Sequence, residues 1–148
     1  MVDAIIYSSD SDEWPTPQKL FDTLNEEFHF TLDVAATEEN AKVKPQFYTK
    51  EQNGLTSPWV GVVWCNPPYG KTISQWLQKA EDSYKEFNTT IVMLLPSRTD
   101  TKWFHSYVYN KTEIRFIKGR LKFEGATQPA PFPSMLVIWK GNHGTPNS

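Results

Sequence analysis

The stretch Val62-Val63-Trp64-Cys65-Asn66-Pro67-Pro68-Tyr69-Gly70 passes from an unbroken apolar run into an amide, two prolines and an aromatic ring. A strand buried on both faces delivers a rigid polar edge to the carboxyl end of a sheet in this way. Proline fixes its own backbone angle and biases the residue before it away from helix, so Asn66 and Pro67 are expected to be extended. The carbonyls of Asn66 and Pro67 remain free to accept. A flat ring bearing an amino group could place its two N–H bonds on the Asn66 side-chain oxygen and a main-chain carbonyl, with Tyr69 covering its face. In a chain with 11 prolines, an Asp/Asn/Ser-Pro-Pro-aromatic tetrapeptide arises by chance at about the one-per-cent level. The rest of the sequence must therefore support the motif.

Working outward, Lys71 to Phe87 carries Ile73, Trp76, Leu77, Ala80 and Tyr84 at helical spacing, which predicts an amphipathic helix packed on the sheet. Thr90-Ile91-Val92-Met93-Leu94-Leu95-Pro96 is a second apolar run, suited to a buried parallel strand, and a polar loop from Ser97 to Asp100 follows it. Together these segments form a βαβ unit whose ligand crevice lies at the loops after the strands. Upstream, Phe28 to Ala36 reads as a strand ending on Asp33 and two alanines. Asp33 then faces the crevice, the small residues let a ligand approach the backbone, and His29 becomes a partly exposed strand residue. Thr16 is expected to cap a helix whose first position is Pro17, with Leu20, Phe21 and Leu24 at helical spacing through Phe28. That helix start serves either as a cap alone or as a holder of a ligand carboxylate or phosphate.

Between Asp33 and Asn66, Glu38 to Lys42 predicts a short helix, Gln46 to Thr49 a brief strand and Asn53-Gly54 a turn. Trp103 to Tyr109 suggests a further helix. Thr112 to Phe123 alternates charged and apolar residues, as a half-exposed strand and turn would. Its Arg115, Lys118, Arg120 and Lys122 are either plain solvated charges or a phosphate-contacting face. Gly125 to Pro133 reads as a loop and Ser134 to Trp139 as a last strand. Residues 1–12 read as a leader, 13–141 as one globular domain and 142–148 as a tail.

Composition narrows the function classes. The 148 residues carry a net charge of −2, 39% hydrophobic and 14% aromatic residues, which suits one globular domain and requires nucleic-acid contact to come from a local basic patch. No 18-residue apolar span or signal-like start is present, so a protein of the cytoplasm with no membrane partner is expected. Cys65 is the only cysteine and reads as a core residue; no metal site is expected. Glycine-rich phosphate loops and Walker-type signatures are missing.

Six blocks occur in one order: Glu13-Trp14 with Thr16-Pro17, Leu32 to Ala36, Asn53-Gly54-Leu55, Trp64 to Gly70, Leu94 to Asp100, and Arg115 to Leu121. In these the chain, from about Asp12 to Gly141, resembles the phage-type DNA N6-adenine methyltransferases that carry an Asn/Asp-Pro-Pro-Tyr signature. The resemblance implies an α/β fold: a compact Rossmann-like methyltransferase sheet, mostly parallel with antiparallel C-terminal strands, and helices on both faces. It implies S-adenosylmethionine as cofactor and DNA as partner, with the oligomeric state left open and the host cytoplasm as the setting if phage-encoded. By the same resemblance Asn66, Pro67, Pro68 and Tyr69 form the catalytic motif. Trp14, Thr16, Pro17, Asp33, Ala35 and Asn53 fall to the cofactor, Arg98 and Asp100 to the target-base pocket or its entrance, and Arg115, Lys118 and Arg120 of the basic strand to substrate DNA. With Asn at position 66 a strong general base is missing, so the amine proton is expected to leave after methyl transfer. The alternatives are a methyltransferase acting on RNA or a protein glutamine amide, and a non-catalytic DNA-binding module.

Overall fold

The computed structural model describes residues 13–142; the leader and most of the tail expected from the sequence lie outside the described residues. Among the described residues five strands form one sheet: β1 (Leu32–Asp33), β2 (Val62–Cys65), β3 (Thr90–Pro96), β4 (Glu113–Phe116) and β5 (Ser134–Trp139), in the order β1-β2-β3-β5-β4. β1, β2 and β3 pair in parallel, and β5 lies antiparallel between β3 and β4. Four strands therefore point the same way and only β5 is reversed. The expected α/β sheet, parallel at first and antiparallel at its C-terminal strands, is the one found.

The unbroken apolar runs explain the sheet's centre. Every residue of β2, β3 and β5 is buried, as a strand covered on both faces requires. Helix α1 (Gln18–Phe28) places Phe21 edge-on to Trp64 at 5.5 Å, and helix α2 (Ile73–Phe87) packs on β3 and β5 through Trp76, Leu77 and Ala80. Cys65 is wholly buried, as its apolar context implies, and that burial pushes its thiol pKa well up.

Several local expectations are corrected. The helix runs through Phe28, as its spacing indicated, so the strand does not begin there: His29 is the helix's exposed left-handed C-cap (φ 57°), with its N–H on the Asn25 carbonyl. β1 is accordingly only two residues long. The Asn25 side chain holds the N–H of Phe30, a local bond that ends the helix where β-type composition alone suggested strand. Thr16 is not the cap of α1: Pro17 occupies that place, and the Gln18 N–H is held by the Glu124 carboxylate at 3.1 Å. Residues 38–42 form turns rather than a helix, because Thr37 and Asn40 hydrogen-bond one another and the Lys42 N–H turns to Asp33. The brief strand at 46–49 reduces to a single bridge, Asp33 with Phe47. The helix expected at 103–109 is a π-helical turn, Phe104–Val108, closed by the Tyr109 N–H on the Phe104 carbonyl at 2.9 Å. β4 stops at Phe116, after which the chain loops through Gly119 at φ 77°.

Candidate active site

The carboxyl ends of β1, β2 and β3 open on one side of the sheet, where open α/β sheets hold ligands. A cavity of about 350 Å³ lies there, bordered by Trp14, Thr16, Asp33, Ala35, Asn53, Asn66 and Pro68 among others. Pocket volumes of this order suit a small organic ligand.

Asp33 is 2% exposed. Its main chain bridges two neighbours, donating to the Gln46 carbonyl and accepting from the Tyr48 N–H. Each carboxylate oxygen accepts one backbone N–H, from Ala35 at 3.2 Å and Lys42 at 2.9 Å. Burial raises its pKa more than these bonds lower it, so a cation entering the cavity meets a carboxylate that gains from being paired. A Cβ on Gly54 would come 2.1 Å from the Val34 carbonyl and 3.1 Å from the Trp76 ring. Only glycine lets the backbone close against this wall. Asn53 beside it sits at φ 56° and accepts the Leu55 N–H, so the turn suggested by the Asn-Gly pair is also part of the cavity wall.

Asn66 follows β2. Its Nδ2 donates to the Trp14 carbonyl at 2.6 Å and to the Thr16 hydroxyl at 2.9 Å. A main-chain carbonyl can only accept, so the amide orientation is determined: NH₂ toward Trp14, oxygen away from it. That oxygen, Oδ1, is buried and has no hydrogen-bond partner. A buried acceptor left unmatched costs about 1–3 kcal/mol, and a donor that reached this atom, on a residue bordering the cavity, would remove that cost. Trp14 is itself held edge-on between Phe123 at 5.4 Å and Phe132 at 5.1 Å, and the Glu124 N–H bonds the Pro15 carbonyl.

Tyr69 is 6% exposed, donates to the Leu94 carbonyl at 3.1 Å and meets the Phe132 ring at 5.8 Å. Arg98 lies over the same Phe132 ring, its guanidinium 5.9 Å from the centroid. Neither Tyr69 nor the buried Pro67 borders the cavity, and Pro17 does not either. Asp100 is exposed in the turn after β3, and Lys118 and Arg120 are exposed on the loop after β4. Since β4 runs parallel to β3, that loop leaves the sheet on the cavity's side. Arg115 is placed differently: its guanidinium grips both Glu27 carboxylate oxygens at 2.8 Å and Glu113 at 2.7 Å, and stands 5.5 Å from the Phe28 ring centroid. This arrangement ties β4 to α1. Among the residues bordering the cavity, the sequence reading did not assign Glu13, Lys42, Tyr48, Lys50, Gly54 and Trp76. The Asn53-Gly54 pair was a signal for Gly54; Trp76 was hidden because helical spacing already accounted for it as core.

The sequence profile of the family described as DNA N-6-adenine-methyltransferase (Dam) matches residues 4–146. The chain belongs to this family. A protein of Haemophilus phage HP1 (strain HP1c1) named DNA N-6-adenine-methyltransferase is 39% identical over 141 residues, covering 89% of this chain and 80% of that one. A protein of Escherichia phage T1 with the same name is 38% identical over 113 residues, covering 74% of this chain and 46% of that one. The Asn66-Pro67-Pro68-Tyr69 segment, the Asp33 cavity and the aromatic cluster around Trp14 all lie within the span that the Dam family profile matches.

Proposed function

We propose that the chain transfers a methyl group from S-adenosylmethionine to the exocyclic N6 amine of adenine in DNA, and that the unpartnered Asn66 Oδ1 receives that amine. The buried oxygen, fixed by a carbonyl and a hydroxyl behind its amide nitrogen, is the observation that carries this reading. The cavity's chemistry fits the cofactor: Asp33 suits its ammonium, the Thr16 hydroxyl its carboxylate, and the wall made by Gly54 and Trp76 its apolar parts. When bound, S-adenosylmethionine supplies an electrophilic methyl on a sulfonium centre.

The protein's part is positional and electrostatic. The adenine amine is a weak nucleophile because its lone pair is delocalised into the ring. An N–H donated to Asn66 Oδ1 and a second to the Pro67 carbonyl draw the nitrogen toward a tetrahedral arrangement and aim its lone pair at the cofactor side. Asn66 accepts and orients without taking a proton, so the amine proton passes to solvent after transfer. The base must leave the duplex to reach this point. Its place is beside Tyr69, which requires Phe132 to give way; a ring stacked on Tyr69 returns about 1–3 kcal/mol of the extrusion cost. Exposed Arg98, Lys118 and Arg120 then supply phosphate contacts that a net charge of −2 does not. Both relatives are phage proteins, which supports the host cytoplasm as the place of action.

The test is incubation of the protein with S-adenosylmethionine and unmethylated plasmid DNA, followed by nucleoside mass spectrometry, with RNA and glutamine peptides in parallel. N6-methyldeoxyadenosine is expected from the DNA alone. Methylation of RNA or peptide instead, or none of the DNA with cofactor bound, would refute the reading.

A further inference from the structure

We propose that Thr16 couples the two binding sites, so that occupation of the cofactor cavity sets the Asn66 acceptor for the base. This rests on the functional reading above and adds a positioning role for a side chain that the sequence suggested as a helix cap, an anion holder or a cofactor contact.

Thr16 is 4% exposed, borders the cavity, and accepts the Asn66 Nδ2 at 2.9 Å. A hydroxyl has one proton to give as well as lone pairs to accept with. Among the described residues no acceptor for the Thr16 proton is found, while its lone pair is engaged by Asn66. The proton is therefore free to turn into the cavity. The donors next to it are not available there: Pro17 has no N–H, and the Gln18 N–H is bound to Glu124. An anionic group in the cavity accepts from Thr16 Oγ1. Taking that bond makes the Thr16 oxygen a better acceptor for Asn66 Nδ2, which leaves the Asn66 oxygen more negative toward an N–H on its far side.

The chain of bonds runs from cavity anion to Thr16 hydroxyl, to Asn66 amide, to base amine. Asn66 sits in the middle with both ends of its dipole used. Its second tether, the Trp14 carbonyl at 2.6 Å, keeps the amide from rotating, so the cavity's effect arrives as polarisation and rigidity rather than as movement. The Asn66 oxygen faces the base with no partner inside the protein to compete for it. Coupling of this kind is reciprocal: whatever the cavity ligand does for base binding, the base does for the ligand.

Thr16→Val removes the hydroxyl at nearly constant volume, and Thr16→Ser keeps it. The probe is S-adenosylhomocysteine, which carries the same amino-acid carboxylate without the transferable methyl, together with a duplex containing a sequence the wild type methylates. In the wild type the probe is expected to tighten duplex binding about tenfold. Thr16→Val should reduce that tightening to less than about twofold and lower kcat about tenfold or more, with a smaller rise in KM for S-adenosylmethionine. Thr16→Ser should restore both. A folded Thr16→Ala variant serves the same comparison should Val disturb packing. A probe effect that is absent in the wild type, or unchanged in Thr16→Val, overturns the coupling while leaving methyl transfer intact. Absence of N6-methyladenine from wild-type reactions overturns the functional reading instead.

Discussion

Asn66→Asp exchanges one atom group at the centre of the site and reverses its hydrogen-bonding sense. The wild-type amide gives two bonds, to the Trp14 carbonyl at 2.6 Å and the Thr16 hydroxyl at 2.9 Å. Thr16 can rotate to donate to a carboxylate, but the Trp14 carbonyl cannot. An ionised carboxylate at position 66 therefore sets a negative oxygen against a carbonyl oxygen and strips that carbonyl of its partner. One lost bond at about 1 kcal/mol and an unmatched, repelled buried acceptor at about 2 kcal/mol give a cost of about 3 kcal/mol at neutral pH. Protonation relieves it, because a carboxylic acid can donate to Trp14. A difference of about 3 kcal/mol corresponds to about 2 pKa units, which places the folded-state pKa of the introduced carboxyl at about 6 against about 3.9 unfolded. With the folded value raised, the variant stays close to wild-type stability below about pH 4. The deficit opens as pH rises and is complete above about pH 6. For a domain of this size about 3 kcal/mol is worth roughly 6–12 °C in Tm. Thermal melts of both proteins from about pH 4 to about pH 8 measure the gap. A gap that does not vary with pH, or none at the alkaline end, refutes the orientation assigned to the Asn66 amide.

Asp33 carries a second pH dependence. Burial raises its pKa, so S-adenosylhomocysteine affinity should weaken as pH falls through that raised pKa, and Asp33→Asn should flatten that limb in calorimetric titration. The same raised pKa makes this group's contribution to the stability of the free protein decline as pH rises, a slope Asp33→Asn should also remove. Gly54→Ala must push the Val34 carbonyl or the Trp76 ring aside while adopting no disallowed backbone angle, so cofactor affinity should fall at least about tenfold with the melting temperature reduced by several degrees; unchanged affinity would contradict the cavity wall described. Arg115→Ala breaks the link between β4 and α1, with an expected loss of about 1 kcal/mol and little effect on DNA affinity at varied salt. Lys118→Ala with Arg120→Ala should do the opposite, weakening DNA binding and lowering its salt slope by about 2; the reverse pattern in filter binding would exchange these roles.

Strand and helix positions were legible wherever burial dictated composition. β3 and β5 occupy the residues their apolar runs indicated, and α2 the span its periodicity indicated, because a strand covered on both faces or a helix covered on one leaves a local imprint. The misread segments are those governed by single side chains reaching across the chain. The Asn25 bond that ends α1 and the Glu124 bond that caps it leave no periodic trace. Asp33 and Asn66 could be placed at the cavity because one ends a strand and the other follows one, whereas Lys42, Tyr48 and Lys50 arrive on segments with no repeating pattern. The orientation of the Asn66 amide was beyond any local reading, since its partners lie 52 and 50 residues away. Arg115 shows the converse: its charge was legible, but its engagement with Glu27, 88 residues distant, was not.

The long reach of the contacts around Trp14 bears on how the protein becomes active during synthesis. Trp14 is held by Phe123 and Phe132, and the start of α1 by Glu124, 106 positions further on. Contacts that close loops of this length form late and only once the strands between them are in place. A ribosome-bound chain that has exposed Asn66 and the surrounding parallel strands has yet to receive the segment that holds Trp14 against them. A chain that has not yet reached Phe123 and Phe132 lacks the rings that hold Trp14, whose carbonyl is one of the two anchors of the Asn66 amide.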